Sequence, residues 1–155
     1  MAKAEKSTAK AKNEEATERA FIIKQVFIKH SSLDIKVAPF ELDSEWQPDA
    51  GMNLDVYSKK LENSHYLVEL RTEIDVKNNN KEIFKINTVQ SGIFEMAGYT
   101  DMQIEQLKNS FCPNILFPYS RQIVSQLTSQ AGFPPLIMAP IDFDGRYQQL
   151  QSEKS

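Results

Sequence analysis

The order of patterns along the chain predicts an α+β fold: a four-stranded antiparallel sheet with helices packed on one side. Three observations carry this. Apolar residues alternate with polar ones in successive segments up to Gln90, as in strands with one buried face. Apolar residues at clear helical spacing come only after Thr100. Strands first and helices afterwards is the arrangement of an α+β domain.

At 155 residues the chain has room for one domain, and residues 20–150 carry the patterned part. Residues 1–19 have no large apolar side chain after Met1, and their acids nearly balance their bases. They are expected to be a disordered N-terminal segment rather than a basic arm. Gln151-Ser-Glu-Lys-Ser155 reads as a short flexible tail. A hydrophobic content of 41% with 25% charged residues is ordinary for a globular protein. The net charge of −3 gives no reason to expect nucleic acid or an anionic membrane as partner. One cysteine, Cys112, excludes an internal disulfide and a cysteine metal cluster, and fits a reducing compartment. With neither a run long enough to span a bilayer nor an N-terminal apolar h-region, the expected location is the cytoplasm.

The elements follow in order. Ala20 to Lys29 is rich in aromatic and β-branched residues on both alternating faces, which suits a strand covered on two sides, by its own helices and by another subunit. Leu33, Ile35 and Val37 continue it past a bend at Ser31-Ser32. Ala38 to Gly51 holds Pro39, Pro48 and Gly51 and reads as an irregular connection carrying Phe40, Leu42 and Trp46. Trp46 is the only tryptophan; residue types leave it either a core plug or a binding residue. Met52, Leu54 and Val56 mark a second strand, with a turn at Leu61 to Ser64. Tyr66, Val68, Leu70, Thr72, Ile74 and Val76 form the cleanest alternation, and Asn78-Asn79-Asn80 is a hairpin signal. Phe84, Ile86, Thr88 and Gln90 lie on one face of a fourth strand. Thr100 with Gln103 forms a possible capping box. Met102, Ile104, Leu107 and Phe111 then line a helix face, which is expected to end or kink near Cys112 because Pro113 follows. A second helix bears Tyr119, Ile123 and Leu127 and is expected to stop at Gly132. Phe143 to Leu150 suits a short terminal helix.

No catalytic constellation emerges. His30 and His65 stand in polar surroundings, Cys112 beside Phe111 and Pro113 reads as a buried inert thiol, and Glu69 and Glu73 share a strand face that looks solvated. The conspicuous feature is apolar surface beyond the needs of one small domain. Such surplus signals subunit association, a hydrophobic binding surface, or both.

Phe111-Cys-Pro-Asn-Ile-Leu-Phe-Pro-Tyr-Ser-Arg121, Gly132-Phe-Pro-Pro-Leu136 and the run on to Asp144 resemble the SecB family of protein-export chaperones. Gln90-Ser-Gly-Ile-Phe94, Met96-Ala-Gly98 and Glu45-Trp-Gln-Pro48 extend the likeness, which runs from about Phe21 to Leu150. The resemblance implies a homotetramer built as a dimer of dimers. It also implies ATP-independent holding of unfolded secretory preproteins and delivery to the SecA motor ATPase, with no cofactor, no catalysed reaction and no insertion into a membrane. It places Trp46, Met52, Leu54, Tyr119 and Tyr147 in a client groove lined by the connection between the first two strands. Ile86, Thr88 and Gln90 match positions near the dimer–dimer contact. The family's acidic motor-binding face maps to His30, Asp34, Lys85 and Asn87, of which only Asp34 is an acid here. Rival readings are a SecB-like chaperone dedicated to one client such as an antitoxin, a small oligomeric enzyme or ligand-binding domain, and a structural adaptor.

Overall fold

The computed structural model describes residues 18–154, so the expectation for the N-terminal segment falls, up to residue 17, outside the described residues. Four strands, β1 (Ala20–Ile35), β2 (Pro48–Lys60), β3 (His65–Asn78) and β4 (Lys81–Ala97), form one antiparallel sheet in the order β1-β4-β3-β2. Both tight turns rest on residues that tolerate positive φ: Asn63 and Ser64 between β2 and β3, Asn79 and Asn80 between β3 and β4.

One face of the sheet is dry. Val68, Leu70, Ile74 and Val76 of β3 and Ile86, Phe94 and Met96 of β4 are almost wholly buried beneath the helices, with Cys112, Leu116 and Val124 packed over them. The helices are α1 (Asp101–Gln106), α2 (Cys112–Gln130) and α3 (Phe143–Glu153). α2 approaches β4 closely at Gly92, where an added Cβ would stand 3.1 Å from Leu116 Cδ2 and closer still to the Phe94 ring. Glycine removes that obstacle.

Both expected helix signals are used. Gln103 N–H donates to Thr100 Oγ1 at 3.2 Å and Thr100 N–H to Gln103 Oε1 at 2.9 Å, the reciprocal capping box. At the end of α2, Gly132 has φ +87°. Its N–H donates to the Ser129 carbonyl, and the Phe133 N–H to the Thr128 carbonyl, each at 3.1 Å, which is a Schellman ending.

Elsewhere the structure corrects the sequence reading. β1 runs unbroken through Ser31 and Ser32; its register shifts instead between Ile23 and Gln25 and between Ile28 and His30, leaving Lys24 and Lys29 as extra residues. Within the single chain β1 is an edge strand with Ile22, Ile23, Ile28 and Ile35 exposed, so the second cover expected for it does not come from this chain. The irregular connection ends at Gln47, because Pro48 and Gly51 belong to β2. Proline fits the first residue of an edge strand, where a missing N–H costs no ladder bond. The helix does not end at Cys112. A π turn at Leu107–Phe111 lets the Cys112 N–H reach the Leu107 carbonyl, Pro113 falls in the first turn after it, and α2 passes on through Pro118. α3 continues past Leu150 to Glu153, so the expected boundary falls inside a helix.

Candidate functional site

The connection from β1 to β2 is fastened at both ends. Pro39–Glu41 forms one 3₁₀ turn, and Pro39 abuts Gly132 at the end of α2. Farther along, the buried Asn78 side chain accepts from the Gln47 N–H at 2.7 Å and donates to the Glu45 carbonyl at 3.2 Å. Between these bonds Trp46 stacks on Phe133, centroids 5.1 Å apart, and on Phe84 at 6.4 Å. Trp46 is therefore half-buried, one face against the core and the rest open.

β2 carries the next two expected groove residues on its helix-facing side. Met52 is exposed and Leu54 half-buried against the core. Tyr147 of α3 lines a cavity of about 120 Å³ together with Asp55, Val56, Phe143 and Leu150. Tyr119 stands exposed on α2. Its neighbour Pro118 borders a second cavity of about 370 Å³ with Arg121, Gln122, Ser125 and Ile137. Leu54 and Tyr147 thus sit at the β2–α3 junction, and Met52 lies two residues before Leu54 on the same face of β2. Trp46 packs instead on Phe84 and Phe133, and Tyr119 is exposed on α2.

Two residues that hold these elements escaped the sequence reading. Arg146 donates from Nη2 to the Leu54 carbonyl, and Asn78 ties the connection down. An arginine in a short polar helix looks like any surface charge, and Asn78 looked like a turn residue only; neither carries a sequence signal for its long-range role.

Ile86, Thr88 and Gln90 lie elsewhere. Their exposures of 0%, 1% and 3% place them in this chain's own core, on the face of β4 covered by the helices, with no free side-chain surface for a second subunit. Gln90 Nε2 donates to the Phe27 carbonyl at 3.1 Å, whereas the Thr88 hydroxyl has no partner.

The opposite face of the sheet is polar. Lys85 donates to Glu73 at 2.7 Å, lies 4.0 Å from Asp75, and pairs in register with Asp34. The hydrogen bond to Glu73, with the charges of Glu73 and Asp75 behind it, raises the Lys85 pKa above the ordinary lysine value. Lys85 is thus embedded among acids. Asn87 is half-buried between Ser32 and Glu73, and His30 is exposed with Nε2 3.3 Å from Ser32 Oγ. Farther along this face Glu69 is wholly buried, paired with Lys29 at 3.0 Å and Arg71 at 2.9 Å, and bonded by Ser91 at 3.2 Å. Burial pushes its carboxyl pKa up, but the bonds and charge from Lys29, Arg71 and Ser91 outweigh that and leave it below the ordinary value. Cys112 is buried, and desolvation pushes its thiol up to about 12, which removes it as a nucleophile at neutral pH.

Among the described residues no helix is long and apolar enough to cross a membrane. The family model described as "Preprotein translocase subunit SecB" matches residues 14–154. The protein-export protein SecB of Methylococcus capsulatus is 36% identical over 85% of this chain and 85% of its own length. That of Neisseria meningitidis is 35% identical over 91% and 97%, and that of Nitrosococcus oceani 32% over 97% and 93%. Among solved structures, a SecB-like chaperone of Mycobacterium tuberculosis in complex with an antitoxin peptide superposes with a TM-score of 0.67. It shares 14% identity and covers 82% of this chain and 92% of that one, a likeness of fold. The match across nearly the whole described chain, joined to relatives that span most of it, places the protein in the SecB family of protein-export chaperones, whose members are chaperones and not enzymes.

Proposed function

We propose that this protein holds unfolded secretory preproteins in the cytoplasm without nucleotide, keeps them competent for translocation, and passes them to a SecA-type motor. The observation that carries the holding role is the apolar surface on the helix side of the sheet. Met52, Tyr119, Ile137 and Leu150 are exposed there, beside the half-buried Trp46, Leu54 and Tyr147. Solvated apolar side chains spread over several elements suit a surface that takes up varied unfolded segments. Trp46, Met52, Leu54, Tyr119 and Tyr147 are its client contacts in this reading.

A homotetramer, a dimer of dimers, accounts for the rest of the surplus. β1 presents a free edge with Ile22, Ile23, Ile28 and Ile35 open to solvent, and such an edge calls for a cover. Ile86, Thr88 and Gln90 then influence assembly through the helices they support rather than by touching another subunit.

The test is suppression of aggregation of several unrelated unfolded proteins without nucleotide, with light scattering to give the mass as a multiple of the 17.7 kDa chain. Trp46→Ala is expected to lower stability by about 2 kcal/mol, less than a fully buried tryptophan loses, and to weaken holding beyond that loss. Absence of suppression by the wild type would remove the reading. Unchanged holding by Trp46→Ala would reduce Trp46 to a packing residue.

A further inference from the structure

Asn78 is the last residue of β3, and its buried side chain is directed at the connection between β1 and β2. Oδ1 accepts from the Gln47 N–H at 2.7 Å, and Nδ2 donates to the Ser44 hydroxyl and to the Glu45 carbonyl, each at 3.2 Å. A main-chain N–H only donates and a carbonyl only accepts, so the two bonds together fix which way the amide points. A carboxylate of the same size lacks the donor, and an apolar side chain lacks both. Pro48, which pairs with Asn78 at the end of the β2–β3 ladder, has no N–H. The first main-chain donor beyond that pair is the Gln47 N–H, and the Asn78 amide meets it where the ladder has ended.

The three bonds reach Ser44, Glu45 and Gln47, so the backbone is held on both sides of Trp46. The indole rests on Phe133 and Phe84 and keeps part of its surface open. At the other end of the connection, the N–H groups of Lys36 and Val37 both donate to the Ile83 carbonyl, at 2.7 and 3.1 Å. Between these fastenings Phe40 is 88% exposed. A connection with so few main-chain bonds is free to move unless side chains hold it. Without the Asn78 amide, the Gln47 N–H and the Glu45 carbonyl must turn to water. Water lies outward, so that turn draws Trp46 away from Phe133.

We propose that Asn78 is a positioning residue of the client groove: it touches no client, but it fixes the backbone around Trp46 so that an arriving apolar segment meets the open part of the ring already in place. Binding then avoids the cost of ordering a free indole and its loop. The inference rests on the client groove proposed above and concerns how tightly that groove binds.

The experiment measures affinity for a reduced, permanently unfolded protein in the wild type, Asn78→Ala, Asn78→Asp, Trp46→Ala and the double variant Asn78→Ala/Trp46→Ala, each below its melting midpoint. Asn78→Ala is expected to weaken binding about fivefold, the effect of one side chain that must be ordered on association. Asn78→Asp keeps the volume but turns a carboxylate oxygen onto the Glu45 carbonyl, and is expected to weaken binding at least as much. With Trp46→Ala already present, Asn78→Ala is expected to change affinity by less than about twofold, because no ring is left to place. Trp46 is the only tryptophan, so its fluorescence anisotropy without client reads the clamp directly and is expected to fall in both Asn78 variants. In the wild type the Gln47 amide is expected to exchange with water as slowly as the amides of β2 that are bonded to β3, a reading that needs no mutation. Equal affinity in folded Asn78→Ala and the wild type overturns this inference and leaves the groove standing. Equal losses from Asn78→Ala with and without Trp46 overturn it too, since Asn78 then acts apart from the ring. So does a Gln47 amide that exchanges at the rate of an unprotected loop. Failure of the wild type to bind the unfolded protein removes the groove and the inference with it.

Discussion

Glu69 is a carboxylate with no exposed surface, held by two cations whose side chains are 56% and 48% exposed. The asymmetry decides what its removal does. Lys29 and Arg71 return to water when the carboxylate is gone, so no charge is stranded in the interior. Glu69→Gln is expected to lower stability by about 1–3 kcal/mol at neutral pH, the range for a charged hydrogen-bonding group. The pH dependence follows from the depressed pKa. The contribution is fully present above the ordinary value of 4.5 and is lost as pH falls through the lower folded value. Denaturant melts should therefore show wild type and variant converging in acid; a constant gap at all pH values would place the effect in packing. Nothing local in the sequence announces this burial. Alternation put Glu69 on the polar face away from the helices, but the solvated setting expected for it is wrong, because Lys29 and Ser91 close over it from two other strands. Arg146 was hidden in the same way, because its partner, the Leu54 carbonyl, belongs to a distant strand.

At the scale of elements, the end of α2 and the start of the crossover connection share one joint. Gly132 at φ +87° leaves only 3.1 Å between a would-be Cβ and Pro39 Cγ. Gly132→Ala combines a left-handed backbone with that contact and is expected to cost about 1–2 kcal/mol from the backbone alone, read as a lower melting midpoint. The crossover connection should loosen with it, seen as faster amide exchange at Leu42 to Gln47; an unchanged midpoint would show that the joint gives freely. Elements announced by short-range chemistry were legible: the capping box at Thr100, the glycine stop at Gly132, and the asparagine turn between β3 and β4. Elements settled by cooperation were not. Pro113 reads as a helix end or kink; the helix does not end there, because Pro113 falls in the first turn after the π turn at Leu107–Phe111 and α2 continues. The place of β1 at the sheet edge follows from its pairing with β4, which no periodicity encodes. In the groove, Leu54 and Trp46 were legible as residues, but their half-burial against the core depends on Phe133 and Asn78 from other elements.

For the whole molecule, the polar face of the sheet is where the proposed handover to the motor is tested. Asp34, Glu73 and Asp75 lie around Lys85, so these four groups together remain negative although Lys85 alone has the wrong sign for a basic partner. Lys85→Glu together with Asn87→Glu is expected to raise affinity for the motor of the proposed function, if it meets this face through a basic surface, several-fold at low salt. The gain should be smaller at physiological salt, as for exposed charges. Calorimetry at the two ionic strengths measures it. No gain at low salt would move the contact off this face.

The pairing of β1 with β4 also sets a timetable. β1 is the first strand to be synthesised, yet Ala20 meets Ala97 and Ile35 meets Phe84 only after both intervening hairpin strands have been made. At about 5–20 residues per second the wait lasts several seconds. Throughout it a strand bearing Ile22, Ile23 and Ile28 has no intramolecular partner. On a polysome, neighbouring nascent chains carry the same strand at the same stage, and they can reach one another before either reaches its own β4. Translation speed between β1 and β4 thus enters the assembly of this protein as a physical variable, alongside affinity and concentration.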